Sequence, residues 1–380
     1  MANAQLKEDI IAYSKLIGID KIGFASADPF VSLKSRLETQ QELGYQSGFE
    51  KGTIQERTEP QQTLPEAKSI ISIALAYPSK LKNAPRSKKG ERRGLFCRAS
   101  WGEDYHNILR RKLKMLEEFI AEKVPGEKCV SMVDTGELSD RAVAERAGIG
   151  WSGKNCAIIT PEFGSYVYLG EMITTLDIPP DIPLEDQCGT CNKCVEACPT
   201  GALVQGGQLD SNKCIAFLTQ TKDFLPEQYR QKLGNRLYGC DTCQVVCPVN
   251  KGKDTHHHPE MEPDHEVVKP KLIPLLKISN REFKEKFGPI SGSWRGKKPI
   301  QRNAIIALAH FKEEDAVPEL NDLLETDPRP VIRGTAAWAI GKIGTKESYS
   351  MLMKAKEREK DKNVQIEIEK GLEMLENNLI

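Results

Sequence analysis

No stretch of this 380-residue sequence strings together the roughly 18 apolar residues that a membrane-spanning helix requires. The first residues, MANAQLKEDIIAYSK, also lack the apolar centre of an export signal. Both absences lead us to expect a cytoplasmic chain with no membrane partner. Net charge is absent too: Lys plus Arg is 54 and Asp plus Glu is 54. That balance excludes a globally basic nucleic-acid binder but leaves room for a local cationic patch. No G-x-G-x-x-G follows a strand-like run, so a nicotinamide dinucleotide site is not expected. What is present, 39% hydrophobic and 28% charged residues, suffices for real cores, and the length suggests two or three domains.

Cysteine usage is the most informative feature. There are 11 cysteines, an odd number and strongly clustered, which argues against a disulfide framework. Cys188, Cys191, Cys194 and Cys198 form C-x2-C-x2-C-x3-C followed by Pro199. This is the bacterial ferredoxin run, in which three thiolates hold one 4Fe–4S cluster and the fourth reaches a second. Cys240, Cys243 and Cys247 form C-x2-C-x3-C before Pro248, and Cys214 stands between the runs. By ferredoxin logic Cys188, Cys191, Cys194 and Cys247 bind one cluster. Cys198, Cys214, Cys240 and Cys243 are then left for the other. Structural zinc takes C-x2-C pairs but has no use for the third cysteine and the x3-C-P ending. Paired clusters move single electrons, so another cofactor or a partner must receive them.

Hydrophobic periodicity predicts helices over 5–17 and 108–122, a helix beginning at Arg141, a buried strand over 69–77 and a strand over 167–176. This suggests an α/β domain over 1–180 and a ferredoxin-like domain over 181–252. The stretch KGKDTHHHPEMEPDHE reads as a surface linker, His256, His257 and His258 included. From about residue 300 the pattern is helical and repeating: IQRNAIIALAHF resembles VIRGTAAWAIGKIG, with Arg302 matching Arg333. A HEAT-like all-α domain over 265–380 follows.

Residues 267–302 contain ten Lys or Arg against two Glu. A solvated helix face normally mixes signs. This one does not, so Lys297, Lys298 and Arg302, close to Trp294, are the expected phosphate contacts of a nucleic-acid clamp. A second basic run lies at 81–93.

The segment VDTGELSDRAVAERAGIGWSGKNCAII, followed by the double cysteine motif and the repeat tail, resembles the epoxyqueuosine reductases. The resemblance spans nearly the whole chain. It takes in Arg57 in ERTEP, Cys97 ahead of Trp101, the Tyr105-His106 pair and all eight motif cysteines. That family completes queuosine on the wobble base of certain tRNAs. It is similar in its cofactors to the reductive dehalogenases, which pair base-off cobalamin with two 4Fe–4S clusters. The resemblance implies an N-terminal cobalamin-binding domain, a tRNA substrate, a monomer, and an external low-potential donor such as flavodoxin or ferredoxin. The signature D-x-H-x-x-G is missing, since its nearest match ends in Pro259, so a corrinoid would be held without a histidine replacing its base.

Reducing an epoxide to an alkene releases its oxygen as water, which needs a positioned acid. The resemblance puts that acid on Asp134, whose carboxyl would keep its proton through desolvation in a cofactor-covered pocket. By residue type alone Asp134 reads as a turn residue. Tyr105 and His106 become candidates for orienting substrate or relaying the proton. Cys97 is expected near the upper face of cobalt. Arg57, Asp134, Arg141, Ser152, Lys154 and Asn155 are expected corrinoid contacts, with Gly148, Gly150 and Gly153 allowing its close approach. Cys129 and Cys156 read as packing residues. Two rival readings are a corrinoid reductase of a small molecule, like the dehalogenases, and a non-enzymatic electron-transfer module.

Overall fold

In the computed structural model, which describes residues 2–377, the apolar run Ser69–Ala76 is a strand with every residue buried. The chain forms two units, each discontinuous in sequence. The first comprises Met1–Lys80, Glu103–Cys214 and Asp241–Glu262. The second comprises Leu81–Gly102, Ile215–Cys240 and Pro263–Ile380.

The first unit is built on an antiparallel sheet of β1 (Lys21–Ser26), β2 (Ser69–Ala76), β3 (Cys129–Met132) and β4 (Val167–Thr174), in the order β1-β2-β4-β3. The period-2 alternation of a strand gives each face its own set of side chains. Helices α1 (Ala2–Leu16) and α2 (Tyr105–Lys123) pack together, and α2 covers the face where Gly170 leaves room for Leu113. The short helix α3 (Asp140–Arg146) covers the other face, where Val143 and Ala144 meet Ala25, Ile70, Ala74 and Ile173. Gly23 is required there, because a Cβ would lie 2.1 Å from the Ala147 carbonyl oxygen.

Two short helices carry cysteines, α4 (Lys193–Glu196) and α5 (Thr242–Val245), and they pack against each other. Gln244 in α5 donates to the Tyr77 hydroxyl at 3.1 Å and the Ser165 carbonyl at 2.9 Å. Asn250 Oδ1 accepts from the Ser165 amide at 2.8 Å. The second cysteine run is thereby anchored on the edge of the strand core.

The histidine stretch is not the loose linker expected from its polarity. His257 Nδ1 and His258 Nε2 each lie 2.6 Å from the Asp20 carboxylate, whose Oδ2 also accepts from the Ala76 amide. Asp254 accepts from the amides of Ser79 and Lys80, and His256 bridges Asp254 and Glu262. Hydrogen bonds of imidazoles and strand-end amides to carboxylates, not apolar periodicity, seat this segment.

The second unit is helical: α6 (Lys297–His310), α7 (Val317–Thr326), α8 (Pro330–Ile343), α9 (Ser348–Arg358) and α10 (Lys362–Asn377) share one apolar core. Small residues let α8 and α10 meet, for a Cβ on Gly341 would lie 2.3 Å from Gly371 Cα. Arg230 is buried against them, stacked 4.9 Å over Trp338 and forked onto both Glu367 oxygens at 2.5 and 2.9 Å. The segment Leu81–Gly102 joins this unit through a strand pairing of Leu95–Phe96 with Arg236–Tyr238.

A carboxylate–imidazole–phenol site beside two cysteine sets

Asp134 lies in the loop after β3 at φ +52°, a left-handed conformation that Asp tolerates better than most residues. Across from it, Asp104 caps α2 by accepting from the His106 amide at 3.0 Å, and its Oδ1 also binds His106 Nδ1 at 2.7 Å. That fixes the ring with Nε2 facing Asp134 Oδ2 at 3.5 Å, with no closer partner. The Tyr105 hydroxyl donates to the same Oδ2 at 2.9 Å. Tyr105 is held flat against Tyr168, with ring centroids 4.5 Å apart. Two neighbouring side chains, Tyr105 and His106, are thus brought onto one oxygen of a residue 29 positions beyond Tyr105.

The charge state differs from expectation. His106 and Tyr105 hydrogen bonds hold the Asp134 carboxyl below the usual carboxylate range, against the effect of burial. Its side chain is 61% exposed, so desolvation is weaker than an apolar pocket would impose. His106 carries the proton instead: burial opposes protonation, but Asp104 and Asp134 raise its pKa to about 9. Among the protein's own groups this gives an ionised carboxylate beside an imidazolium, and the expected desolvation is what a covering cofactor would add.

Behind Asp134 stand two acids that the sequence reading passed over. Asp140 Oδ2 accepts from the Asp134 amide at 2.9 Å, and Glu171 on β4 is fully buried. The available signal was a single Glu inside the otherwise apolar strand VYLGEMIT.

The corrinoid candidates divide. Arg57 and Arg141 are close enough for each charge to act on the other, and burial lowers the Arg57 pKa. Asn155 is 8% exposed with its Nδ2 lacking a partner, although Oδ1 accepts from Ala157. Two neighbouring guanidiniums and an unsatisfied amide N–H fit a ligand bearing anionic and amide groups. Ser152 lies in the short strand Trp151–Ser152 with its amide directed at Glu145. Lys154 is otherwise engaged: its ammonium donates to Gly189 O at 2.6 Å and Asn192 Oδ1 at 3.0 Å, bracing the first cysteine run. The glycines also serve packing rather than ligand approach. A Cβ on Gly148 would lie 2.7 Å from the Ile182 carbonyl, on Gly150 2.4 Å from that of Ile159, and on Gly153 2.5 Å from Ile159 Cδ1. Cys97, in the second unit, packs against the turn before Cys240, where a Gly239 Cβ would lie 2.2 Å from its sulfur.

None of the eight motif cysteines is joined in a disulfide. Burial raises the Cys194 pKa, and the charges of Cys188 and Cys247 add to that rise. Cys247 therefore lies near enough to the first run for its charge to act on Cys194. Backbone amides of Leu203, Thr200 and Ala202 overcome burial at Cys198 and favour its thiolate. Among the described residues no three His, Cys, Asp or Glu are arranged to hold a single ion. A cubane takes one thiolate per iron at separate corners and does not need that convergence. Cys194→Ser and Cys247→Ser are expected to lose the same cluster and leave identical EPR signals. Cys198→Ser should leave the other signal, each variant retaining about four irons. Different residual signals from the first two would break the pairing.

The expected nucleic-acid contacts fare unevenly. Lys297 lies at the start of α6 and donates to the Ile278 carbonyl at 2.9 Å, while Lys298 beside it is partly exposed. Arg302 is 0% exposed. Its guanidinium donates to the carbonyls of Leu218, Thr221 and Asp223 and to Asn303 Oδ1, so it cannot reach a phosphate. Arg302 is corrected from an RNA contact to a structural anchor. Arg333, its repeat counterpart, similarly donates to the Asp327 carbonyl at 2.9 Å. Several other cations of the basic stretch are neutralised, Lys271 by Glu91 and Arg281 by Glu285.

Comparison with known proteins gives the same picture. Residues 57–135 match a family model described as Epoxyqueuosine reductase QueG, DUF1730. Residues 187–250 match a 4Fe-4S double cluster binding domain, and 296–373 match HEAT repeats. A Bacillus cereus epoxyqueuosine reductase is 71% identical over 371 residues, covering 98% of each chain. The Bacillus subtilis enzyme is 67% identical, covering 98% of this chain and 96% of its own. A crystal structure of epoxyqueuosine reductase with a tRNA-Tyr epoxyqueuosine-modified stem loop aligns at a TM-score of 0.96 and 67% identity, over 98% of this chain and 99% of that one. A Bacillus subtilis structure with its Asp134 catalytic loop swung out of the active site aligns at 0.96 and 66% identity, with the same coverage. This chain, an oxidoreductase with a 4Fe–4S double-cluster domain, belongs to the epoxyqueuosine reductase family.

Proposed function

We propose that this chain reduces epoxyqueuosine in tRNA to queuosine, with Asp134 delivering the proton to the departing oxygen. Two electrons and two protons convert the epoxide to an alkene and water. The observation that carries the reading is the placement of Tyr105 and His106 on one Asp134 oxygen. His106 Nε2 holds a proton at neutral pH and faces Oδ2, so Asp134 can take that proton and pass it on. Tyr105 orients the carboxylate and can follow it with a hydrogen bond. The family's base-off cobalamin, when bound, supplies a strongly reducing or nucleophilic cobalt. Arg57, Arg141 and Asn155 are suited to holding its anionic tail and amides, and Ser152 lies on the same segment. Cys97 is assigned to the cobalt's upper face through the family resemblance. One 4Fe–4S cluster is held by Cys188, Cys191, Cys194 and Cys247, the other by Cys198, Cys214, Cys240 and Cys243. An external flavodoxin- or ferredoxin-like donor reduces them. Lys297 and Lys298 meet the RNA backbone, while the pocket selects the modified base.

The test is a single turnover of protein loaded with iron and cobalamin on an epoxyqueuosine-containing stem loop, driven by a low-potential one-electron donor. Mass spectrometry of the released nucleoside should show loss of one oxygen. Full loading with both cofactors and an unchanged nucleoside would overturn the reading.

A further inference from the structure

Glu171 is a carboxyl that the proposed chemistry leaves unused, and its surroundings are unusual. It is 0% exposed, in a cross-sheet row with Gly23, Ser72 and Met132. No N–H or hydroxyl reaches either of its oxygens, and the neighbouring Ser72 hydroxyl also lacks a partner. The group whose charge bears on it most is another acid, Asp140 at the start of α3, the helix packed against this strand. Two carboxylates repel; they hydrogen-bond only when one carries a proton.

Among the described residues no Lys, Arg or His forms an ion pair with either acid. The charges bearing on the pair are Asp134, Asp140 and Glu171 themselves. The other facing elements contribute Gly23 from β1, Ser72 from β2, Met132 from β3, and Val143 and Ala144 from α3. Arg141, next to Asp140 in sequence, donates to the Cys156 carbonyl, and His106 faces Asp134. The pair reaches the site through one bond, from the Asp134 amide to Asp140 Oδ2. That bond holds a non-glycine residue at φ +52°.

We propose that Glu171 is a positioning residue: it shares a proton with Asp140, and the singly charged pair holds the Asp134 loop so that Oδ2 stays between Tyr105 and His106. The inference rests on the reading of Asp134 as proton donor. Its titration runs in the expected sense. Burial, then the charge of the other acid, pushes Glu171 well above its ordinary value, and burial with the Asp134 charge pushes Asp140 up to about 6. An acid whose pKa is raised by folding gives stability that is present below its unfolded value and lost as pH rises through its folded value. Once the shared proton leaves, three negative charges face one another and the hold on the loop weakens.

The experiment compares holoenzyme with Glu171→Gln, Glu171→Leu and Asp140→Asn. Infrared spectra of wild type at neutral pH should contain a protonated carboxylic acid band, absent from Glu171→Gln, retained in Asp134→Asn, and shifted in Asp140→Asn, where the buried Glu171 keeps its proton against an amide. Glu171→Leu should lower kcat by about ten- to a hundredfold through misplacement of Asp134, with KM for the stem loop unchanged. Glu171→Gln, which can donate to Asp140 at any pH, should rescue that loss and move the alkaline limb of the kcat profile up by about one pH unit. Its Tm advantage over wild type should widen as pH rises. Absence of the band in wild type, or superimposable pH profiles of wild type and Glu171→Gln, would overturn the proposal. Full activity of Asp134→Asn would instead remove Asp134 as donor, while the band still decides the shared proton.

Discussion

Replacing Asp134 with asparagine is expected to lower kcat by about a hundred- to ten-thousandfold, the range for removing a general acid. Iron and cobalamin content should be unchanged. Asparagine adopts the left-handed conformation at least as readily as aspartate, so the loop backbone at φ +52° survives the change. What disappears is the oxygen that faces His106 and Tyr105, the one proposed to pass the proton on. A second readout follows from the same geometry. Asp134 is one of the two carboxylates that raise the His106 pKa to about 9, and Asp104 is the other. In the asparagine variant the His106 titration, followed by NMR, should move down, with Asp104 still keeping it above that of a free histidine. An unchanged His106 titration or near-normal turnover would dissolve the proposed couple.

Arg302→Met should have the largest effect on stability and little on RNA recognition. The side chain satisfies three backbone carbonyls, the Thr221 hydroxyl and Asn303 Oδ1 inside the helical unit. Methionine fills similar volume but leaves those acceptors dry, at about 1–3 kcal/mol each. A typical domain has only about 5–15 kcal/mol in total. The variant is therefore expected to unfold at much lower temperature or to be recovered poorly. Glutamates at Lys297 and Lys298 should do the reverse, weakening tRNA binding and flattening its salt dependence with little change in Tm. A stable Arg302→Met variant with impaired tRNA binding would restore the RNA role and contradict its burial.

These two residues mark where sequence reading succeeds and where it stops. The cysteine runs were legible because ligand spacing is local: three thiols within seven positions have few uses. Strand β2 was legible because burial on both faces leaves a continuous apolar run. Asp134 came from resemblance, since a VDTG turn has no chemistry of its own. Arg302 misled because a cationic stretch reads alike whether its members face water or carbonyls 80 positions away. Gly148, Gly150 and Gly153 misled similarly, for the space left by a missing side chain can be filled by the protein itself. His258 was read as exposed because its partner, Asp20, lies some 240 positions upstream, whereas His257 is exposed as read. The errors at Arg302 and His258 concern long-range partners, which composition and periodicity do not encode.

The segment Asp241–Glu262 returns to the first unit after the chain has contributed Ile215–Cys240 to the second. During synthesis the Asp20 carboxylate and the first cysteine run emerge from the ribosome long before His258 and the second run. Those early elements must wait, exposed, until the returning strap arrives. On the proposed pairing, iron loading would be a late event in the life of each nascent polypeptide, and a stalled chain ending before Cys247 would present three thiols without the fourth.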